Sequence, residues 1–67
     1  MAIGSGKIEV RFKADASEKF NTPSLNCNGI EFYGNKICFS DADGDLIKID
    51  GSIIEASMED IYSIKTK

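Results

Sequence analysis

Three glycine-containing turns, separated by short apolar segments, restrict the fold of this chain most strongly. They are Gly34-Asn35, Ala42-Asp43-Gly44 and Asp50-Gly51. Asn, Asp and Gly are favoured in tight hairpins because they tolerate the positive φ angles that such turns need. The segments between the turns have the length of strands, so the sequence predicts an antiparallel meander.

The first turn predicts which side chains meet. Residues that face each other across an antiparallel pair share a face of the sheet, so a turn determines the register. A two-residue turn at Gly34-Asn35 pairs Phe32 with Ile37. It also pairs Ile30 with Phe39, and we expect all four side chains on the inner face.

The middle turn can be assigned by the same test. A two-residue turn would place core side chains opposite solvent-facing ones. The three-residue loop Ala42-Asp43-Gly44 instead pairs Phe39 with Ile47, and it pairs Ile37 with Ile49. This loop, a type I turn followed by a G1 bulge, favours glycine at its third position, where the sequence has one.

The last turn completes the predicted inner face. Asp50-Gly51 as a two-residue turn pairs Ile47 with Ile54 and leaves Ala56 inward. Residues 58–60 then predict one tight turn, and residues 61–65 a final strand.

The first half of the chain has one clear strand. Residues 1–6 contain Gly4 and Gly6 and predict a flexible lead-in, and residues 7–14 alternate apolar with charged side chains. Residues 15–28 predict a long connection, with a helical turn capped by Asp15. We expect Phe20 and Leu25 to anchor this connection to the core.

The predicted fold is an all-β, five-stranded barrel. The predicted order over residues 7–65 is a strand, a long loop and a four-strand meander, with a one-turn helix before the last strand. This order resembles that of the SH3-like small barrels. The stretch 14–20 lacks the tyrosines of peptide-binding SH3 domains, so proline-rich peptide binding is not implied. An OB-like barrel is the alternative fold.

Length and composition limit the number of domains and the cellular location that we expect. The chain of 67 residues predicts a single domain over residues 7–65, and 42% apolar residues predict a folded one. No apolar run approaches the roughly 20 residues of a membrane span, and the N-terminus lacks an apolar secretion signal. Only two cysteines are present, so we expect a cytoplasmic protein with no membrane partner, although a disulfide between Cys27 and Cys38 stays an alternative.

Catalytic and metal chemistry have few candidates. The chain has no histidine, the commonest general base, so we expect a protein that is not an enzyme and has no cofactor. Asp41, Asp43 and Asp45 have the spacing of a calcium loop, but Leu46 and Ser52 stand where glycine and glutamate are required. These aspartates predict a solvated turn and only a weak candidate metal site.

The register also predicts an interaction surface. It directs Leu46 and Ile53 outward from adjacent strands, together with Cys38, which would lie between Glu31 and Lys48. A contiguous apolar patch often marks an interface, although the lead-in or the long loop could cover this one. Tyr33 and Tyr62 are further candidate contacts, because tyrosine is favoured at interfaces.

We therefore expect a non-catalytic protein-binding module or assembly subunit, for example a phage or mobile-element protein that acts on a host factor. One alternative is a nucleic-acid-binding barrel, which would use Lys7, Arg11, Lys13, Lys36, Lys48 and Tyr33. The net charge of −3 opposes it, because phosphate binding favours a basic protein. The other alternative is an acidic DNA mimic, which would present Asp41, Asp43, Asp45, Glu59 and Asp60.

Overall fold

The computed structural model describes residues 3–66, which form a mostly β structure with one short α-helix. The elements are β1 (Ile8–Phe12), α1 (Ala14–Phe20), β2 (Ser24–Cys27), β3 (Gly29–Tyr33), β4 (Lys36–Ser40), β5 (Lys48–Ile49), β6 (Ser52–Ile53), a 3-10 helix (Met58–Asp60) and β7 (Ile61–Thr66).

The first sheet is built around β1, which lies antiparallel between β2 and β7. The alternation expected for the first strand is present, because Val10 and Phe12 are buried while Arg11 is exposed. The strand ends at Phe12, and β1 and β7 shift register between Arg11 and Phe12. The predicted final strand is thus confirmed, and it closes one side of β1.

Strand β2 corrects the prediction for residues 15–28, which were expected to form a connection without a strand. Leu25 lies opposite Val10 and Cys27 opposite Ile8, and both are fully buried. The physical reason is that every second side chain of this segment is apolar, so the segment can pair with the amphipathic strand β1 and bury its apolar side chains on the same face. Pro23 precedes it, and the Pro23 carbonyl accepts a hydrogen bond from the Phe12 amide at 3.0 Å.

Helix α1 begins earlier than expected. Lys13 occupies the N-cap position, so Asp15 lies in the first turn rather than capping the helix. A carboxylate there still interacts favourably with the positive end of the helix dipole. The helix ends at Asn21, whose φ of 57° is left-handed, and the ring of Phe20 packs 5.0 Å from that of Phe12.

The first hairpin has the predicted register. In β3 and β4, Phe32 lies opposite Ile37 and Ile30 opposite Phe39. The expectation that Phe32 points into the core is wrong, because 67% of its side chain is exposed. Among residues 3–66, β3 pairs only with β4, so no second strand of this part of the chain flanks Phe32 on the other edge.

The predicted three-residue loop is confirmed. The Gly44 amide donates to the Asp41 carbonyl at 3.0 Å, and Gly44 has a φ of +88°. The Ile47 amide then donates to the Phe39 carbonyl at 2.8 Å, as the register requires. The last hairpin is also confirmed, since Ile49 lies opposite Ser52.

The predicted pairing of Ile37 with Ile49 is wrong. Ile37 instead exchanges backbone hydrogen bonds with Ala56, at 2.7 and 3.0 Å. The prediction assumed one straight strand through Ile49, but the chain turns away from β4 after Ile47. The small Ala56, only 1% exposed, occupies the vacated place beside Ile37.

The core lies between the first sheet and β4. Its largest fully buried side chains include Phe39, Leu25, Ile37 and Val10, so the expected anchoring role of Leu25 is confirmed. The strands of residues 3–66 form three small sheets instead of one continuous ladder, which supports the all-β class but not the closed five-stranded barrel. No helix in this part of the chain is long and apolar enough to cross a membrane.

Candidate protein-binding site

Leu46 and Ile53 line the same open depression, of about 630 Å³. Leu46 is placed by its bridge to Ser40, and Ile53 by its pairing with Lys48. Ile53 is 42% exposed and Leu46 is half-buried. The two outward apolar residues predicted from the register therefore come together. We call this hollow, lined by Gly4, Asp41, Asp45, Leu46, Ile47, Lys48 and Ile53, the acidic groove.

The loop at residues 41–45 gives the acidic groove its carboxylates. One oxygen of Asp41, Oδ1, accepts hydrogen bonds from the Asp43 amide at 2.9 Å and the Asp45 amide at 3.1 Å. Asp41 is thus used to hold the loop, whereas Asp43 and Asp45 form no ion pair within residues 3–66. Asp45 keeps a free carboxylate beside the apolar floor.

The weak metal candidate gains no support from this geometry. Within the described residues, no group of three or more His, Cys, Asp or Glu side chains could hold a metal ion. The Asp41 carboxylate is turned toward backbone amides of its own loop. The loop has the arrangement of a solvated turn.

A second depression, of about 380 Å³, lies next to the first. Phe20 and Ile49 contribute apolar surface to it, and Lys19 and Glu55 contribute charges of opposite sign. Ile53 lines both depressions. Its partly exposed side chain therefore stands where the two hollows meet, at a point that a bound partner would contact from either side.

Of the lead-in predicted over residues 1–6, residues 3–6 run beside β2, and residues 1–2 lie outside the described part of the chain. The Asn26 amide donates to the Ile3 carbonyl at 2.7 Å. Gly4 has a φ of +79°, and a Cβ there would overlap the Asn26 carbonyl, so a larger residue does not fit. Gly4 forms part of the wall of the acidic groove and leaves Ile53 uncovered.

Cys38 is not where the register placed it. It was expected to face outward, but only 4% of it is exposed, although it does lie opposite Glu31. The reason is that β4 is paired along both edges, by β3 and by the segment at Ala56, so the longer side chains of Glu31 and Glu55 flank the small thiol. Burial raises the pKa of the Cys38 thiol, and the nearby carboxylates of Glu55 and Glu31 raise it further. The thiol is also not disulfide-bonded.

The two tyrosines lie outside both depressions. Tyr33 is 55% exposed, and its hydroxyl donates to Oε1 of Glu31 at 3.2 Å, which raises the pKa of Tyr33. Tyr62 is 73% exposed on β7. Sequence reasoning missed three other exposed apolar side chains: Phe32 and Met58, each 67% exposed, and Ile64, 45% exposed. The polar context of Met58, between Ser57 and Glu59, was the only signal for it.

The basic residues proposed for nucleic-acid binding are all exposed but lie on different elements. Arg11 is 3.7 Å from Glu9, and Lys36 is 3.3 Å from Glu55. Lys48 lines the acidic groove. Lys7 and Lys13 flank β1 at its two ends. Two of the five cations are therefore already paired with carboxylates.

No family model, curated protein or solved structure matches this chain.

Proposed function

We propose that this protein is a non-catalytic protein-binding module whose acidic groove receives a segment of another protein. The observation that carries the proposal is that Leu46 and Ile53 line one open hollow together with a free carboxylate, that of Asp45. An apolar floor with a charged rim is the common composition of a protein interface. The groove fits an apolar side chain that has basic residues next to it.

The negative charge of the chain and of the acidic groove favours a partner with basic residues. The chain has a net charge of −3, and Asp43 and Asp45 extend unpaired carboxylates from the loop at the groove. Complementary charges at the rim of an interface accelerate association and reject partners of the wrong sign. A segment that carries Lys or Arg on either side of a Leu, Ile or Phe satisfies both features of the groove.

We propose an SH3-like barrel as the scaffold, on the grounds of strand order and of the pairings that link the three small sheets. Only Asn28 separates β2 from β3, so the two run as one bent strand that pairs first with β1 and then with β4. A 3-10 helix precedes the last strand, which pairs with β1. Both cysteines are free thiols, which supports a reducing, cytoplasmic setting.

The proposal can be tested with a displayed library of random peptides, using the whole chain as bait. We expect enrichment of peptides that combine a large apolar residue with Lys or Arg. Binding of these peptides should fall at least about tenfold for Ile53→Asp, because a charge on the floor of an apolar contact is strongly unfavourable. Asp45→Asn should weaken binding less and reduce its dependence on salt.

Met58→Asp is the matched control, since it adds the same charge at an apolar residue that is 67% exposed and lines neither depression. Met58→Asp should bind the selected peptides as the natural chain does. A library that yields no basic-apolar peptides would contradict the proposal. So would peptides that bind the Ile53→Asp variant undiminished.

A further inference from the structure

Strand β3 has a free edge whose backbone groups are directed away from β4. In an antiparallel ladder, two residues that face each other in a non-hydrogen-bonded pair both turn their amide and carbonyl outward. Ile37 turns these groups toward Ala56, with hydrogen bonds of 2.7 and 3.0 Å. Phe32, which lies opposite Ile37, therefore turns its amide and carbonyl toward the free edge.

The same holds for Ile30, because Phe39 opposite it directs its carbonyl toward the Ile47 amide, at 2.8 Å. Outside the strand ladders, no backbone hydrogen bond within residues 3–66 involves Ile30 or Phe32. The free edge of β3 thus presents two backbone amides and two backbone carbonyls, spaced as another strand would need them for pairing.

Strands β7 and β2 have protected outer edges, β5 and β6 have only two residues each, and β3 is both longer and unprotected. Folded proteins block exposed edges with bulges, lysine or proline. Strand β7 has a register shift opposite β1 and carries Lys65. The outer side of β2 is occupied by the backbone of Ile3. Strand β3 pairs with β4 in unbroken register and has no lysine or proline. Next to its edge it exposes Phe32 and Tyr33.

We propose that β3 pairs antiparallel with β3 of a second copy of this chain, about a two-fold axis at Phe32. In a two-fold pairing, the residues whose backbone groups face the free edge must lie opposite each other. Three registers meet this condition: Phe32 opposite Phe32, Ile30 opposite Phe32, or Ile30 opposite Ile30. This interface is distinct from the acidic groove, so it stands or falls separately from the proposed function.

Charge and burial select the register. The Ile30–Phe32 register is the longest, but it sets Glu31 opposite the second copy's Glu31, and like charges in that position repel. The Phe32–Phe32 register sets Glu31 opposite the second copy's Tyr33. These residues are compatible, since Tyr33 already donates to Glu31 within one chain at 3.2 Å. It also brings together two phenyl rings that are 67% exposed in the single chain.

The contact is small, so we expect a weak dimer. Pairing of one short strand buries less than the roughly 1,600 Å² of a standard protein interface. Sedimentation equilibrium of the whole chain, from about 10 µM to about 1 mM, covers the range suited to such an interface. The average mass should rise from that of one chain toward that of two.

Phe32→Lys should weaken the dimer at least about tenfold, while Tyr62→Lys, at a 73% exposed position on β7, should leave it unchanged. Far-UV circular dichroism checks that both variants fold. A natural chain that stays monomeric at about 1 mM would overturn the proposal, because its dissociation constant would then lie well above about 1 mM. A dimer that Phe32→Lys leaves intact would overturn it as well.

Two further measurements examine the edge and its register. Amide hydrogen exchange at Phe32 should slow as the protein concentration rises, and exchange at Phe32 that does not depend on concentration would overturn the edge contact. Glu31→Gln should leave dimerisation nearly unchanged. Tightening by more than about threefold would place Glu31 opposite Glu31 and overturn the Phe32 register.

Discussion

Asp60 joins three parts of the fold, and its replacement by alanine should lower the free energy of unfolding. Its carboxylate Oδ2 accepts hydrogen bonds from Lys19 Nζ at 2.9 Å and from the Ser57 amide at 3.1 Å. The first holds α1 against the 3-10 helix, and the second is half of a capping box with Ser57. The Asp60 carbonyl also accepts from the Lys13 amide at 2.9 Å, a contact that alanine retains.

The expected loss follows from the two contacts that alanine removes. Loss of the hydrogen bond that Asp60 accepts from the Ser57 amide costs about 0.5–1.5 kcal/mol. An ion pair whose lysine is exposed contributes about 0.2–1 kcal/mol, and Lys19 is 55% exposed. Asp60→Ala should therefore cost about 0.7–2.5 kcal/mol. A domain of this length has a free energy of unfolding of roughly 3–10 kcal/mol, so the change is a substantial fraction.

Urea unfolding followed by far-UV circular dichroism measures this loss. With a slope near 1 kcal/mol per molar urea for so small a domain, the midpoint should fall by about 0.7–2.5 M. Glu59→Ala is the matched control, since Glu59 is exposed and forms no ion pair within the described residues. It should change the free energy of unfolding by less than about 0.5 kcal/mol. An Asp60→Ala change no larger than that of Glu59→Ala would refute the reasoning.

The pH dependence gives the same residue a second test. The hydrogen bond from Lys19 lowers the pKa of Asp60 below its ordinary value of 3.8. Its charge therefore stabilises the fold fully above that value, and this contribution disappears as the pH falls through the lowered pKa. The gap in free energy of unfolding between the natural chain and Asp60→Asn should shrink steadily below the ordinary pKa. A gap that stays constant to about pH 2 would contradict the assignment.

Three other outcomes are expected. Gly44→Ala should cost about 1 kcal/mol in urea unfolding, because φ is +88° there while a Cβ would meet no neighbour within 4 Å; an unchanged midpoint would contradict this. Phe39→Ala should cost about 3–5 kcal/mol and leave much of the chain unfolded by circular dichroism, since Phe39 is fully buried; a native spectrum with unchanged stability would contradict it. Cys27 and Cys38 should react with an aromatic disulfide reagent far more slowly in buffer than in urea, because both are buried with raised pKa values; equal rates would show that the thiols are accessible.

The hairpins were the predictable part of the fold because turn chemistry is local. The loop before Asp45 could be assigned from one glycine and a comparison of two registers, and the Ile47–Phe39 hydrogen bond confirms it. Strand β2 was missed because only Leu25 and Cys27 carry its alternation. Its stability comes from pairing with β1, which is distant in the chain and invisible to a local pattern.

The candidate site was predictable in two of its residues but not in its shape. Register alone directed Leu46 and Ile53 outward, and both line the acidic groove. Whether a side chain is buried depends on which strands end up beside it. Cys38 is buried because β4 has chain on both sides, and Phe32 is exposed because β3 does not.

The most direct test of protein binding at the acidic groove is a titration of the isotope-labelled chain with a peptide selected from the library, followed by amide chemical shifts. The largest shifts should fall on residues 45–48 and on Ile53, with none at Met58 or Tyr62. Saturating peptide that shifts other surfaces and leaves residues 45–48 and Ile53 unmoved would show that the groove is not the binding site.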